Sequence, residues 1–301
     1  MKRFILNLLV FIVFVVLLDA LCGFLCTRLI DSANGGDTVR ERSVYDGTIK
    51  EKILIFGSSR ANHHYVPAII EKELGKSCYN CGVEGTGIIN MYGRLSLILE
   101  HHTPELIVYD VAHAYDLLKN DNTKYLGKMR YFYHNESVKE IFALVDESQR
   151  YKMLSNMYRF NSKAFQLIAD NLTPVKSKND GYRPMFGKID YDVNDANKTA
   201  DKHPAIDFDS VKIELLERFI LKCQNKCKLV FAISPFYLND QKIYTPIEDL
   251  CEKYDIPLLA FNNDTVFIGK KELFADSVHL NDDGAKVFSE MISKIIKELL
   301  Y

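Results

Sequence analysis

Two short stretches, far apart in a chain of 301 residues, carry side chains suited to one reaction. The first, Gly57-Ser58-Ser59-Arg60, closes an apolar run. The second, Asp276-Ser277-Val278-His279-Leu280-Asn281, stands directly before a long helical pattern. Attack by a serine hydroxyl needs an imidazole as general base, and the imidazole needs a carboxylate to fix its tautomer and stabilise its charged form. Asp276 and His279 can supply both from one turn. Ser59 would sit just past the end of a first strand, where open α/β sheets hold their ligands, and Gly57 permits the tight turn that this requires. Each stretch alone has an ordinary reading as well. Serines cap helices, and Asp276 or Asn281 can cap the terminal helix beside a surface histidine. Their pairing is what points to catalysis.

The pair resembles the SGNH/GDSL hydrolase family, in which a Gly-x-Ser after the first strand and a C-terminal Asp-x-x-His complete a triad. The resemblance covers roughly residues 50–115 and 226–301. It implies Ser59 as nucleophile, His279 as general base and Asp276 as orienting carboxylate. Asn80-Cys81-Gly82 matches the block whose glycine N–H joins the oxyanion hole, so the resemblance implies Gly82 and Ser59 as donors there. In the third block, His113-Ala114-Tyr115-Asp116 stands where the family has Gly-x-Asn-Asp, which puts Tyr115 at the asparagine's place. Ser58 replaces the aspartate of the GDSL form, a variant similar to that of membrane-anchored relatives that modify cell-surface polymers.

The resemblance further implies a serine esterase or acyltransferase that removes or transfers acyl groups, acetyl foremost, on a cell-envelope polysaccharide. Its partner would be an acylated glycan or another ester, and it requires no metal and no cofactor. Oligomeric state is not legible. The competing reading is a non-catalytic envelope protein that keeps the fold and binds glycan or a membrane partner. The altered third block and a long insertion favour it; the complete Ser, His and Asp favour the enzyme.

The elements that must position these residues read as α/β. Five apolar runs separated by helical patterns suggest a parallel sheet: 52–57, 77–83, 105–111, 228–235 and 256–261. Helix candidates cover 66–74, 86–101 and 209–223, and a stripe of Phe288, Met291, Ile292, Ile295, Ile296 and Leu299 marks the last, capped by Asn281 or Asp282. The expected architecture is three-layer α/β/α, flavodoxin-like, with a central parallel five-stranded sheet. Residues 50–301 form this domain, with an insertion at about 120–205 that holds a polar-aromatic helical stretch over 137–170. A lid or a substrate-facing subdomain is the expectation for it.

Residues 1–30 read as a membrane anchor and 31–49 as a linker. Lys2 and Arg3 precede fifteen residues, Phe4 to Leu18, among which only Asn7 is polar. They would span about 22 Å as a helix, and continuing past Asp19 to Cys26 gives about 34 Å, enough for a hydrocarbon core. Positive charge before the span keeps the N-terminus cytoplasmic and exports the remainder of the chain, making the protein single-pass with a periplasmic or extracellular domain. A cleaved signal is the rival, with Ala20 and Cys22 as a poor match to a cleavage site; a buried core helix fits less well.

Composition excludes several classes. With 48% apolar and 26% charged residues the chain is not disordered, and 38 basic against 40 acidic side chains give no basic excess for nucleic acid. Seven cysteines are too scattered for a disulfide scaffold. Cys78 and Cys81 have redox spacing but fall within a strand, and Cys223 and Cys227 lie one helical turn apart, so both pairs read as structural. His63-His64 and His101-His102 lack partners at metal-ligand spacing and read as solvated or capping residues. Lys124, Lys128, Arg130 and Arg183 read as solvated charge, with an anionic glycan as the alternative.

Overall fold

A computed structural model describes residues 1–161, 163–172, 180–190 and 206–300. Parts of the expected insertion, 173–179 and 191–205, lie outside the described residues. Along the chain, α1 (Lys2–Ser32) and α2 (Gly36–Tyr45) come first. Next are β1 (Ile53–Gly57), α3 (Ser59–His64), α4 (Pro67–Leu74), β2 (Cys78–Asn80), α5 (Ile88–His101), β3 (Leu106–Asp110) and α6 (His113–Asp116). The middle holds α7 (Glu136–Val145), α8 (Gln149–Lys152), α9 (Asn156–Arg159) and α10 (Ala164–Leu172). The described chain closes with α11 (Ser210–Cys223), β4 (Lys228–Ile233), α12 (Thr245–Tyr254), β5 (Leu258–Ala260) and α13 (Asp282–Leu300).

These elements form two compact units. One contains Met1–Thr48 and the described residues from Leu126 to Leu172, with α7 to α10; the other contains Ile49–Tyr125 and the described residues from 180 onward. In the second unit all five strands pair in parallel, in the order β2-β1-β3-β4-β5. This is the flavodoxin-like order, and its direction of winding reverses between β1 and β3, where a crevice opens at the carboxyl ends. Successive β1 side chains take opposite faces. Ile53 and Ile55 join a core with Phe288, Ile292 and Ile296 of α13, whereas Phe56 meets Phe219 of α11 edge-on at 5.5 Å. Helices α3 and α4 pack with α13 on the first face, and α5 and α12 pack with α11. The fold is therefore α/β with helices flanking a central five-stranded parallel sheet, as expected.

Two strands are shorter than their apolar runs. Beyond β2 the backbone still reaches β1, Cys81 N–H donating to the Ile55 carbonyl (2.7 Å) and Val83 N–H to the Gly57 carbonyl (3.0 Å). The Asn80 amide donates to the carbonyls of Ala61 (2.7 Å) and Tyr65 (3.0 Å), and its Oδ1 accepts from Gly82 N–H (2.9 Å). The run 256–261 contributes only Leu258–Ala260. Helix limits obey local chemistry. Proline opens α4 and Gly75 closes it at φ 68°, Asp209 accepts from the N–H groups of Val211 and Lys212, and Asn281 accepts from Gly284 N–H at 2.9 Å.

In the first unit α1 is one helix of 31 residues, long and apolar enough to cross a membrane. The stretch expected as a linker is largely helical, as α2. The Asp170 carboxylate accepts from the N–H (3.0 Å) and hydroxyl (2.6 Å) of Thr38 in its first turn. The single helical stretch expected over 137–170 is instead divided among α7 to α10. Asn135 turns its side chain onto the Ser137 N–H where the stretch begins, and Ser155 onto the Tyr158 N–H, which starts a new helix within it. Helices α9 and α10 pack on α1.

Candidate active site

The strand β1 delivers Ser59 to the crevice through a turn that only glycine can make. Gly57 has φ 138°, and a Cβ there would lie 2.6 Å from the carbonyl oxygen of Asp110. Ser58 is buried, and Ser59, half-buried, is the first residue of α3.

The turn between Phe274 and Leu280 brings the partners. Ala275 N–H donates to the His279 carbonyl (2.9 Å), closing the turn. Asp276 Oδ1 accepts from the backbone N–H of Val278 (2.9 Å) and of His279 (2.8 Å). His279 Nδ1 lies 2.9 Å from Asp276 Oδ2, and Nε2 lies 2.8 Å from Ser59 Oγ. With Nδ1–H donating to the carboxylate, Nε2 is the ring nitrogen free to take the hydroxyl proton. Burial alone would raise the Asp276 carboxyl, but hydrogen bonds from His279 and from the Val278 N–H outweigh it and hold the group below its ordinary value. Ser59, His279 and Asp276, 220 residues apart at the extremes, thus form one hydrogen-bonded chain.

A buried polar network ties the two halves together, and little in the residue pattern announces it. Arg60 lies inside, its Nε 3.8 Å from Asp110 Oδ2, its guanidinium donating to the carbonyls of Ser234 (3.2 Å) and Val111 and stacking over Phe236 at 4.4 Å. Asp110 also accepts from Ser234 N–H (2.9 Å), Ser234 hydroxyl (3.0 Å) and Tyr65 hydroxyl (3.3 Å). His64 Nδ1 lies 3.0 Å from Ser234 Oγ, and its Nε2 accepts the N–H of Leu280 at 3.0 Å. Burial drives the His64 ring well below its ordinary pKa, with His279 and Arg60 adding to the effect, so it is neutral there.

His63 and His64 are therefore not the solvated or capping residues expected of them. Both are buried, and His63 Nδ1 meets the carbonyl of Arg183 at 2.6 Å. Their rings lie 5.5 and 6.3 Å from that of His279. Residues 180–190 of the insertion border this side of the site: Arg183 N–H donates to the Asn62 carbonyl (3.1 Å), and its guanidinium lies 3.6 Å from Glu84.

The expected oxyanion donors fare unequally. The N–H of Ser59 donates to no group among the described residues. Gly82 does not supply a free donor, because its N–H is spent on Asn80 Oδ1. Three residues on, Gly85 is exposed at φ 67° and its N–H has no partner among the described residues. Tyr115 makes an edge-on ring contact with Tyr125 at 6.1 Å, and no described hydrogen bond joins it to Ser59 or to the His279 turn. Its neighbour Asp116 is structural: it accepts from the N–H groups of Ile88 and Ala112 (both 2.6 Å) and from Tyr109 hydroxyl (2.8 Å). His113 is buried against Tyr244, its Nε2 without a partner among the described residues.

The remaining candidates stand apart. Cys78 and Cys81 are buried and in no disulfide among the described residues, Cys223 is buried and Cys227 half-buried. Lys124 belongs to the sheet-bearing unit, whereas Lys128 and Arg130 belong to the other. A surface hollow of about 470 Å³ is lined by Lys76, Glu105 and Lys228, at the amino ends of β3 and β4 and away from the triad.

No protein-family model and no curated protein sequence matches the chain. Solved structures do. A two-domain esterase active on acetylated mannans is 12% identical, with a TM-score of 0.41, over 89% of this chain and 54% of that one. A G-D-S-L family protein from Desulfitobacterium hafniense DCB-2 is 11% identical, with a TM-score of 0.35, over 81% of this chain and 99% of that one. The family that the sequence motifs resemble is thus represented among these structures. Likeness at TM-scores this low carries no argument about this chain, so the proposed chemistry rests on the geometry of Ser59, His279 and Asp276.

Proposed function

We propose that the protein is a membrane-tethered serine hydrolase or acyltransferase of SGNH type, acting on esters of an acylated envelope polysaccharide, with acetyl as the acyl group. The observation that carries this reading is the unbroken hydrogen-bonded chain from Ser59 Oγ through His279 to Asp276. Ser59 Oγ attacks the acyl carbonyl while His279 Nε2 takes its proton, and Asp276 stabilises the imidazolium so formed. The N–H of Ser59, first residue of α3, meets the developing oxyanion; each preorganised donor contributes about 2.7–4 kcal/mol. The tetrahedral adduct then expels the alcohol, which receives the proton from His279. Water or a sugar hydroxyl attacks the acyl-serine in turn, and Ser59 is restored.

The placement outside the cytoplasm rests on α1, with Lys2 and Arg3 before its apolar run. The test uses a fluorophosphonate probe on the full-length protein, with an acetyl ester as substrate. Ser59 is expected to be labelled and Ser59→Ala to lose both labelling and turnover. A folded wild-type protein that neither labels nor turns over ester would favour a glycan-binding role for the same fold.

A further inference from the structure

The exposed apolar surface does not end with α1. The run Phe4 to Leu18 covers about 22 Å of a hydrocarbon core about 30 Å thick, so roughly five more residues of α1 must lie within it. Asp19 falls in that stretch, where a carboxylate is costly unless satisfied. It is satisfied by one segment: Ser155 hydroxyl (2.7 Å), Asn156 N–H (2.9 Å), Asn156 side-chain amide (3.0 Å) and Met157 N–H (2.9 Å) all donate to it. Gly23, one turn further along, admits the Asn156 side chain, since a Cβ there would lie 2.5 Å from Asn156 Cγ.

The segment that reaches Asp19 is itself apolar on the outside. Leu154 is 80% exposed and Met157 41%. Helix α10 runs alongside α1 in the same direction, with Leu167 packed on Cys26 and Ile30 and Asn171 bonded to the Leu29 carbonyl at 2.7 Å. Its opposite face shows Phe165 (87% exposed) and Ile168, spaced three apart. Phe165 is at the end of α10 nearer Asp19. Tyr151 and Lys152, exposed beside Leu154, are types that seat at the headgroup level.

We propose that residues 151–161 and 163–168 form a second membrane contact, with Leu154, Met157 and Phe165 immersed in the acyl chains of the leaflet through which α1 emerges. The occupant is lipid because these side chains continue the lipid-facing surface of α1 at the level of residues 19 to 25, where Leu21, Phe24 and Leu25 are also exposed. The inference rests on α1 being a membrane span.

The chain has no tryptophan, so single substitutions report without background. Full-length Leu154→Trp, Phe165→Trp, Phe11→Trp and Leu221→Trp are reconstituted in vesicles of phosphatidylcholine and phosphatidylglycerol, with and without brominated acyl chains. Blue-shifted emission and bromine quenching are expected at positions 154, 165 and 11. Red, unquenched emission is expected at position 221, on exposed α11. Quenching at 11 but not at 154 or 165 overturns the second contact and leaves the anchor standing. Blue-shifted but unquenched emission at 154 and 165 overturns it in favour of a protein partner or a second copy. Absence of quenching at 11 overturns the membrane span, and the second contact with it.

Discussion

Both ring nitrogens of His64 are committed: one holds the N–H of Leu280, the residue after His279, and the other holds Ser234 beside Asp110. The ring is thus a positioning group for the turn that carries His279, the proposed general base. His64→Ala is expected to lower kcat with KM little changed, and Ser59 labelling to slow in parallel. The same residue makes a stability prediction. Its folded pKa lies well below the ordinary 6.5, so the unfolded chain takes up the proton first as pH falls. Its contribution is complete above about pH 6.5 and declines as pH drops below that value towards the folded pKa. Denaturation midpoints at pH 7.5 and 5.5 should differ less in His64→Gln than in wild type. At the neighbouring pair, Asp276→Asn keeps the hydrogen-bonding shape but favours the wrong imidazole tautomer, and a loss of about 10⁴ in kcat is expected.

Among the elements, α13 shares one core with the sheet and with Phe274 and Leu280, which bracket the His279 turn. Phe288 meets the rings of Tyr65 (5.2 Å), Phe261 (5.2 Å) and Phe267 (6.0 Å) and is fully buried. Phe288→Ala should destabilise the fold by about 3–5 kcal/mol, read as a lower denaturation midpoint. Parallel strands buried on both faces read as plain apolar runs, which is why β1, β3 and β4 were legible nearly to the residue. The hydrogen-bonded chain of Ser59, His279 and Asp276 was legible because each half sits on a local signal, a glycine turn and an Asp-x-x-His turn. Gly82 was misassigned because motif spacing does not reveal that the Asn80 side chain reaches round to its N–H. His63 and His64 looked like surface residues because their partners, Arg183, Ser234 and Leu280, are 120 to 216 residues away. The division of the middle of the chain into α7 to α10 depends on side-chain caps that periodicity does not weigh against helix continuation.

At the scale of the whole molecule, the proposed topology leaves everything after α1 outside the cytoplasm. Protease added to intact cells or spheroplasts should digest the C-terminal domain, and shielding of that domain would reverse the orientation. The order of the chain has a temporal side. Under the proposed topology and chemistry, synthesis and export proceed from the N-terminus, yet His279, the proposed base for Ser59, arrives 220 residues later, on the turn just before α13. Until β4, β5 and that turn have crossed and docked, Ser59 is an ordinary alcohol without a proton acceptor. On the proposed function, a chain in transit is chemically silent towards every ester it passes, and reactivity switches on only once the whole sheet has been delivered.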